Sequence, residues 1–179
     1  TITEPEAGSD ATATRCTAKL VGDHYILNGT KNFCSNGNAA EIYTLFASTN
    51  LARGARGISA FIVEKSFPGF SMGKKELKMG IRASPTYEIN LDNCKVPKEN
   101  LLGGEGRGLM GAQGTFDVSR PGVASQALGI AQGAMDEALA YARHLAQKEG
   151  AELYVHHSDG TIRKKDSYSR SPHPPKERR

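Results

Sequence analysis

Hydrophobic and polar positions alternate along the first hundred residues and then change period. Over residues 11–27, Thr14, Cys16, Ala18 and Leu20 alternate with Arg15, Thr17, Lys19 and Val21, the two-residue repeat of a half-buried strand with the first set inward. Asn28-Gly29 stands between Tyr25-Ile26-Leu27 and the run 31–35, and predicts a two-residue hairpin turn, whose central residues need positive φ. On the returning strand Phe33 and Ser35 then share one face, with Asn32 and Cys34 on the other. Further strands are expected at 42–48, 57–64, 70–76 and 86–91. Short strands at this spacing leave no room for crossover helices, so an antiparallel β-barrel or sandwich is expected rather than a βαβ fold.

From Pro121 the period lengthens. Val123, Ala127, Ile130, Ala131, Ala134, Met135, Ala138, Leu139 and Ala142 recur every three or four residues, the mark of a long amphipathic helix with proline in its first turn. Gly129 and Gly133, four apart, form a groove that another helix can approach. Residues 97–108 read as a glycine-rich linker. Gly106-Arg107-Gly108-Leu109-Met110-Gly111 fits the dinucleotide pattern formally, yet no buried strand precedes it and no βαβ unit surrounds it. After Gly150 the pattern fails, and too few sizeable apolar side chains remain to order the segment, so disorder is expected. The fold class is therefore α+β: a β-barrel or sandwich domain at 1–103, one long helix of an incomplete bundle at 104–150, and a disordered or aberrant basic tail at 151–179.

Charge changes this picture little. The net +4 of the 179 residues divides into +3 for the tail and +1 for the body, and a near-neutral body without interleaved aromatic and basic residues offers no nucleic-acid surface. Cys16, Cys34 and Cys94 are odd in number and far apart, which argues for reduced thiols and against a disulfide framework or paired zinc ligands. His156, His157 and His173 lack a further ligand at fixed spacing, so no metal site is expected. No apolar run is long enough to span a bilayer. The chain starts at Thr1 inside a motif rather than at Met, and a fragment is expected.

That motif is Thr1-Ile2-Thr3-Glu4-Pro5-Glu6-Ala7-Gly8-Ser9-Asp10. Pro5 pre-sets one backbone angle, Gly8 permits close approach, and the loop offers N–H groups to a polar ring or an anion. Alone it is equally compatible with an ordinary turn. Four further stretches accompany it in order: Asn28-Gly29-Thr30-Lys31-Asn32-Phe33-Cys34-Ser35-Asn36-Gly37, Gly57-Ile58-Ser59-Ala60-Phe61-Ile62-Val63, Lys78-Met79-Gly80-Ile81-Arg82-Ala83-Ser84 and Val96-Pro97-Lys98-Glu99-Asn100-Leu101-Leu102-Gly103. Together they resemble the middle domain of the acyl-CoA dehydrogenases, closest to the short- and medium-chain branch, as far as about Tyr141.

The resemblance implies FAD as cofactor, an acyl-CoA substrate desaturated between its α and β carbons, and an electron-transferring flavoprotein as acceptor. It implies a homotetrameric parent, in the mitochondrial matrix of a eukaryote or the cytoplasm of a bacterium. Ile2 and Thr3 would meet the polar edge of the flavin, Gly8 and Ser9 would lie along cofactor and substrate pantetheine, Phe33 would pack on the ring in place of the usual Trp, and Ser35 would direct a hydroxyl at N5. Without the resemblance, Phe33 and Ser35 equally fit a core ring beside a ladder serine. Asp117 and Arg120 match a stretch that contacts CoA in relatives, although an Asp and an Arg three apart can also pair with each other or cap a helix.

No catalytic residue can be named. The family's base is a Glu in the distal helical bundle or, in one branch, the residue before the matched Arg, and here that is Ser119, whose hydroxyl lacks a neighbouring base. Leu145, Lys148 and Glu149 replace an Arg-x-x-Phe-Gly run that reaches FAD across a subunit boundary in relatives. The expectation is a severed piece of a dehydrogenase, inactive alone. The rivals are a non-catalytic β module binding flavin or CoA weakly, and a piece of an acyl-CoA oxidase.

Overall fold

The computed structural model describes residues 1–168. They fall into two compact units, Thr1–Asp117 and a second that begins at Val118. The first unit holds β1 (Thr17–Val21), β2 (His24–Ser35), β3 (Ile42–Ser48), β4 (Ile58–Glu64), β5 (Phe70–Lys75), β6 (Thr86–Pro97) and β7 (Leu101–Leu102). They form one sheet in the order β5-β6-β2-β1-β3-β4-β7. Every neighbour pair is antiparallel except β1 and β3, which run parallel at Thr17 and Ser48. The sheet is thus mixed and, among the described residues, does not close into a barrel.

Its inner face is the core. Ala18, Tyr25, Leu27, Tyr43, Leu45, Ala47, Phe61, Val63, Ile89, Leu91, Cys94 and Val96 form one buried cluster, drawn from five strands by their two-residue alternation. Tyr25 meets Phe61 edge to face at 4.9 Å, and Tyr43 meets Phe70 at 4.9 Å. Since β3 and β5 stand four places apart in the sheet, the second contact requires the sheet to coil over itself, as in a sandwich.

The tight turn differs from the one expected. Val21 pairs with His24 across Gly22-Asp23, and β2 continues straight through Asn28-Gly29. Gly29 has φ +139°, and a Cβ there would come within 2.3 Å of Cys16 Sγ. The register slips by a residue between Leu27 and Gly29 where β2 pairs with β6. The extra residue lies in β6, where Asn93 takes φ +51°, so the glycine stands opposite a bulge and serves a close approach rather than a turn.

One helix, α1 (Gly108–Glu149), follows the sheet. It begins well before Pro121, which lies inside it and, lacking an N–H, leaves the Asp117 carbonyl without its helical donor. The stretch read as a linker is docked on the sheet instead. Gly106 N donates to Ser59 Oγ at 2.9 Å, Tyr25 Oη donates to Glu105 at 2.7 Å, and a Cβ at Gly108 would meet the Ser59 carbonyl carbon at 2.6 Å. With its backbone so seated, the chain enters the helix at once.

Within the second unit, the tail expected to be disordered forms a hairpin of β8 (Glu152–His156) and β9 (Ile162–Ser167). Residues 169–179, with His173, lie outside the described residues. Apolar burial alone predicts disorder; other terms hold the hairpin. Asp159 accepts from Thr161 N at 2.9 Å and Oγ1 at 2.7 Å, and Gly160 takes φ +84°, the side-chain and glycine chemistry of a tight turn. Lys165 pairs with Glu152 at 3.1 Å, and Arg143 of α1 with Asp166 at 3.4 Å. Ala151 N donates to Ala146 O at 2.8 Å, fixing the hairpin to the helix end.

Candidate functional site

The opening loop lies between β3 and β2. The Thr1 ammonium donates to Thr44 O at 2.6 Å and Phe46 N to Thr1 O at 3.2 Å, while Asn32 N donates to Thr3 O at 2.8 Å. Glu4 and Ala7 exchange main-chain hydrogen bonds of 3.0 and 3.2 Å, which turns the chain at Pro5-Glu6. Gly8 and Ser9 follow, both exposed, and a Cβ at Gly8 would meet nothing within 4 Å.

Opposite Thr3, β2 breaks its alternation. Lys31 pairs with Ile89 but Cys34 with Tyr87, so β2 carries one extra residue, and Phe33 takes φ +56°. A bulge of this kind re-aims the side chains beyond it. Lys31 and Cys34 are consequently buried, whereas Phe33 is 61% exposed and Ser35 is also exposed. An aromatic ring and a hydroxyl thus stand at the surface next to the strand residue that holds Thr3.

Beneath the loop lies a buried ion pair. Lys31 Nζ donates to Glu4 Oε1 at 2.6 Å and to Ile2 O at 3.1 Å, and Glu4 Oε2 accepts from Arg15 N at 2.6 Å and Cys16 N at 3.1 Å. Burial pushes the Glu4 carboxyl up, but the Lys31 bond and charge and the Arg15 and Cys16 donors outweigh it, holding the group below the usual carboxylate range. Burial raises the nearby Cys16 thiol to about 12 and Cys94 to about 11, so neither is a thiolate nucleophile near neutral pH.

Of the residues singled out in the sequence, Ile2, Thr3, Phe33 and Ser35 come together in this way. Gly8 and Ser9 continue the same loop past its turn. Asp117 and Arg120 lie one turn apart on α1, both exposed. Lys31 and Glu4 were not singled out, although a signal existed: Tyr25, Leu27 and Lys31 share the inward parity of one strand, and a lysine on that face requires a buried anion. Beside the Thr1 contact, a cavity of about 610 Å³ is lined by Thr44, Phe46, Ala60, Leu102 and the first turns of α1, with Arg107 as its cation.

The family model for the acyl-CoA dehydrogenase middle domain matches residues 1–94. The chain belongs to the acyl-CoA dehydrogenase family. A short-chain-specific acyl-CoA dehydrogenase of Clostridium acetobutylicum is 51% identical over 146 residues, 82% of this chain and 38% of the relative. An acryloyl-CoA reductase (NADH) of Anaerotignum propionicum is 45% identical over 163 residues, 86% of this chain and 41% of the relative. The butyryl-CoA dehydrogenase structure from Megasphaera elsdenii superimposes with a TM-score of 0.75 at 50% identity, covering 79% of this chain and 37% of that one. The chain therefore spans about two fifths of the length of the relatives it matches. A second model, for an uncharacterised protein conserved in bacteria (DUF2188), matches residues 133–168, which include the hairpin.

Proposed function

We propose that this chain carries one wall of the flavin site of an FAD-dependent acyl-CoA dehydrogenase acting on acyl-CoA thioesters, and that it is inactive without the rest of such an enzyme. The observation that carries this reading is the bond from Asn32 N to Thr3 O at 2.8 Å beside the exposed Phe33 and Ser35. The residues present fit a flavin. Phe33 offers an apolar ring in the open, where a planar group can stack, and its left-handed backbone is a strained conformation retained at a surface. The Thr3 N–H and hydroxyl have no hydrogen-bond partner among the described residues, so both remain for the polar edge of a ring system.

When bound, FAD supplies the hydride acceptor for oxidation between the α and β carbons. This chain's own residues bind and orient: Ile2 and Thr3 at the polar edge, Gly8 and Ser9 along cofactor and pantetheine, Phe33 against the ring, Ser35 beside N5, Asp117 and Arg120 toward CoA. No described residue acts as the base for the α proton in this reading, so the parent enzyme supplies it, together with the tetrameric partners and the surface met by an electron-transferring flavoprotein.

Titration of the purified chain with FAD, followed by flavin fluorescence, tests this. The expected result is saturable binding that weakens about tenfold in Phe33→Ala, with no flavin bleaching on addition of butyryl-CoA. Absence of saturable binding to a cooperatively folded chain favours the rival reading as a non-catalytic β module that binds flavin or CoA at most weakly. Bleaching by acyl-CoA contradicts the inactivity.

A further inference from the structure

The Lys31–Glu4 pair is more deeply buried than any other ion pair among the described residues, with side chains 0% and 2% exposed. A buried pair of this kind seldom adds stability over apolar residues of the same shape, so its geometry is the point of interest. Three segments converge on it. Glu4 comes from the opening loop, Arg15 and Cys16 from the approach to β1, and Lys31 from the last regular position of β2 before its bulge. The second acceptor of the lysine is the main-chain carbonyl of Ile2.

That carbonyl sets the direction of a donor. No peptide bond among the described residues is cis, and in a trans peptide the C=O of one residue and the N–H of the next point in opposite directions. With the Ile2 C=O drawn to Lys31, the Thr3 N–H is turned away from the buried pair. The next peptide is fixed likewise: its carbonyl accepts from Asn32 N, and its N–H, that of Glu4, donates to Ala7 O. Both peptides flanking Thr3 are therefore held, one by the ammonium and one by the strand.

We infer that Lys31, anchored by Glu4, is a positioning residue for flavin: it fixes the Ile2–Thr3 peptide so that the Thr3 N–H presents to the polar edge of the ring. The inference rests on the flavin reading above and adds to it a residue that does not itself meet the cofactor. Charge is what the device needs, because an ammonium can satisfy a carboxylate and a carbonyl at once from one buried point. A neutral side chain of similar length leaves the Ile2 carbonyl without its donor and the peptide free to rotate.

The test separates positioning from folding. Lys31→Met leaves the Glu4 carboxylate buried without its counter-charge and unfolds or strongly destabilises the chain. Lys31→Met combined with Glu4→Gln removes both charges, and the carboxamide oxygen still accepts from Arg15 N and Cys16 N. The double variant is expected to melt cooperatively while binding FAD about tenfold more weakly, with a less structured visible band for the flavin it does bind. Wild-type affinity and spectrum in the double variant overturn the inference. So does failure of the double variant to melt cooperatively, because the pair then serves the fold. If the wild-type chain itself does not take up FAD, the flavin reading fails first, and the inference with it.

Discussion

The two units bury themselves very differently. In Thr1–Asp117 the inner face of the sheet is sealed, with Leu27, Leu45, Phe61, Val63, Ile89 and Val96 at 0% exposure. In the unit that begins at Val118, Ala146, 7% exposed, is the one buried apolar residue among those described, while Val123, Leu128, Ile130 and Met135 are 57–71% exposed. Coiling lets a sheet cover its own apolar face; a single helix cannot, and needs other helices to do so. The sheet is a core in its own right. The helix is one member of a bundle, in accord with relatives more than twice as long.

The largest expected effect sharpens this contrast. Phe61→Ala should lower stability by about 3–5 kcal/mol, whereas Ile130→Ala on the helix should change it by less than about 0.5 kcal/mol; denaturant melts of both read the difference. Equal effects would break the comparison. Next comes Gly29→Ala, which forces a Cβ against Cys16 at a backbone angle that favours glycine and should destabilise by roughly 1–3 kcal/mol, with no counterpart at the open Gly129 or Gly133.

Acid should reach the sheet unit through Glu4. Its folded carboxyl lies below the ordinary value of 4.5, so its contribution is complete above that value and is lost as pH falls through the lower, folded one. Thermal melts should therefore show wild type losing stability relative to the doubly neutral Lys31→Met, Glu4→Gln chain as pH falls below 4.5, and parallel curves would contradict the linkage. The smallest effect belongs to the hairpin: Arg143→Ala removes a part-exposed pair with Asp166 and should loosen β8–β9 by less than about 1 kcal/mol, visible as faster amide exchange there. The exposed apolar side of α1 should make the chain self-associate, and replacing Ile130 and Leu128 together by Ser should reduce that association in sedimentation.

Much of the sheet was legible because alternation is a local signal: β3 and β4 lie where the pattern put them, whereas Phe33 and Ser35 face outward only because the bulge after Lys31 breaks the alternation of β2. What misled was local chemistry with two possible uses. Asn28-Gly29 reads as a turn, yet glycine also serves a close approach within a strand, and only the nearness of Cys16 decides between them. Pro121 reads as a helix start, yet Gly106 and Gly108 seat the chain on the sheet and start the helix sooner. Apolar content alone argues against order after Gly150, while the hairpin at 152–167 is held by an Asp159-Gly160 turn and cross-strand charges. The Lys31–Glu4 pair joins positions 27 apart in sequence, and no short-range pattern states which buried lysine meets which carboxylate.

The central claim is that Thr3, Phe33 and Ser35 form one flavin-facing surface. Amide resonances of the chain recorded with and without FAD test it residue by residue. The account predicts the largest shifts at Thr3, Phe33 and Ser35, with the buried core strands unmoved. Shifts confined to α1 or the hairpin, or none at saturating FAD, would contradict it.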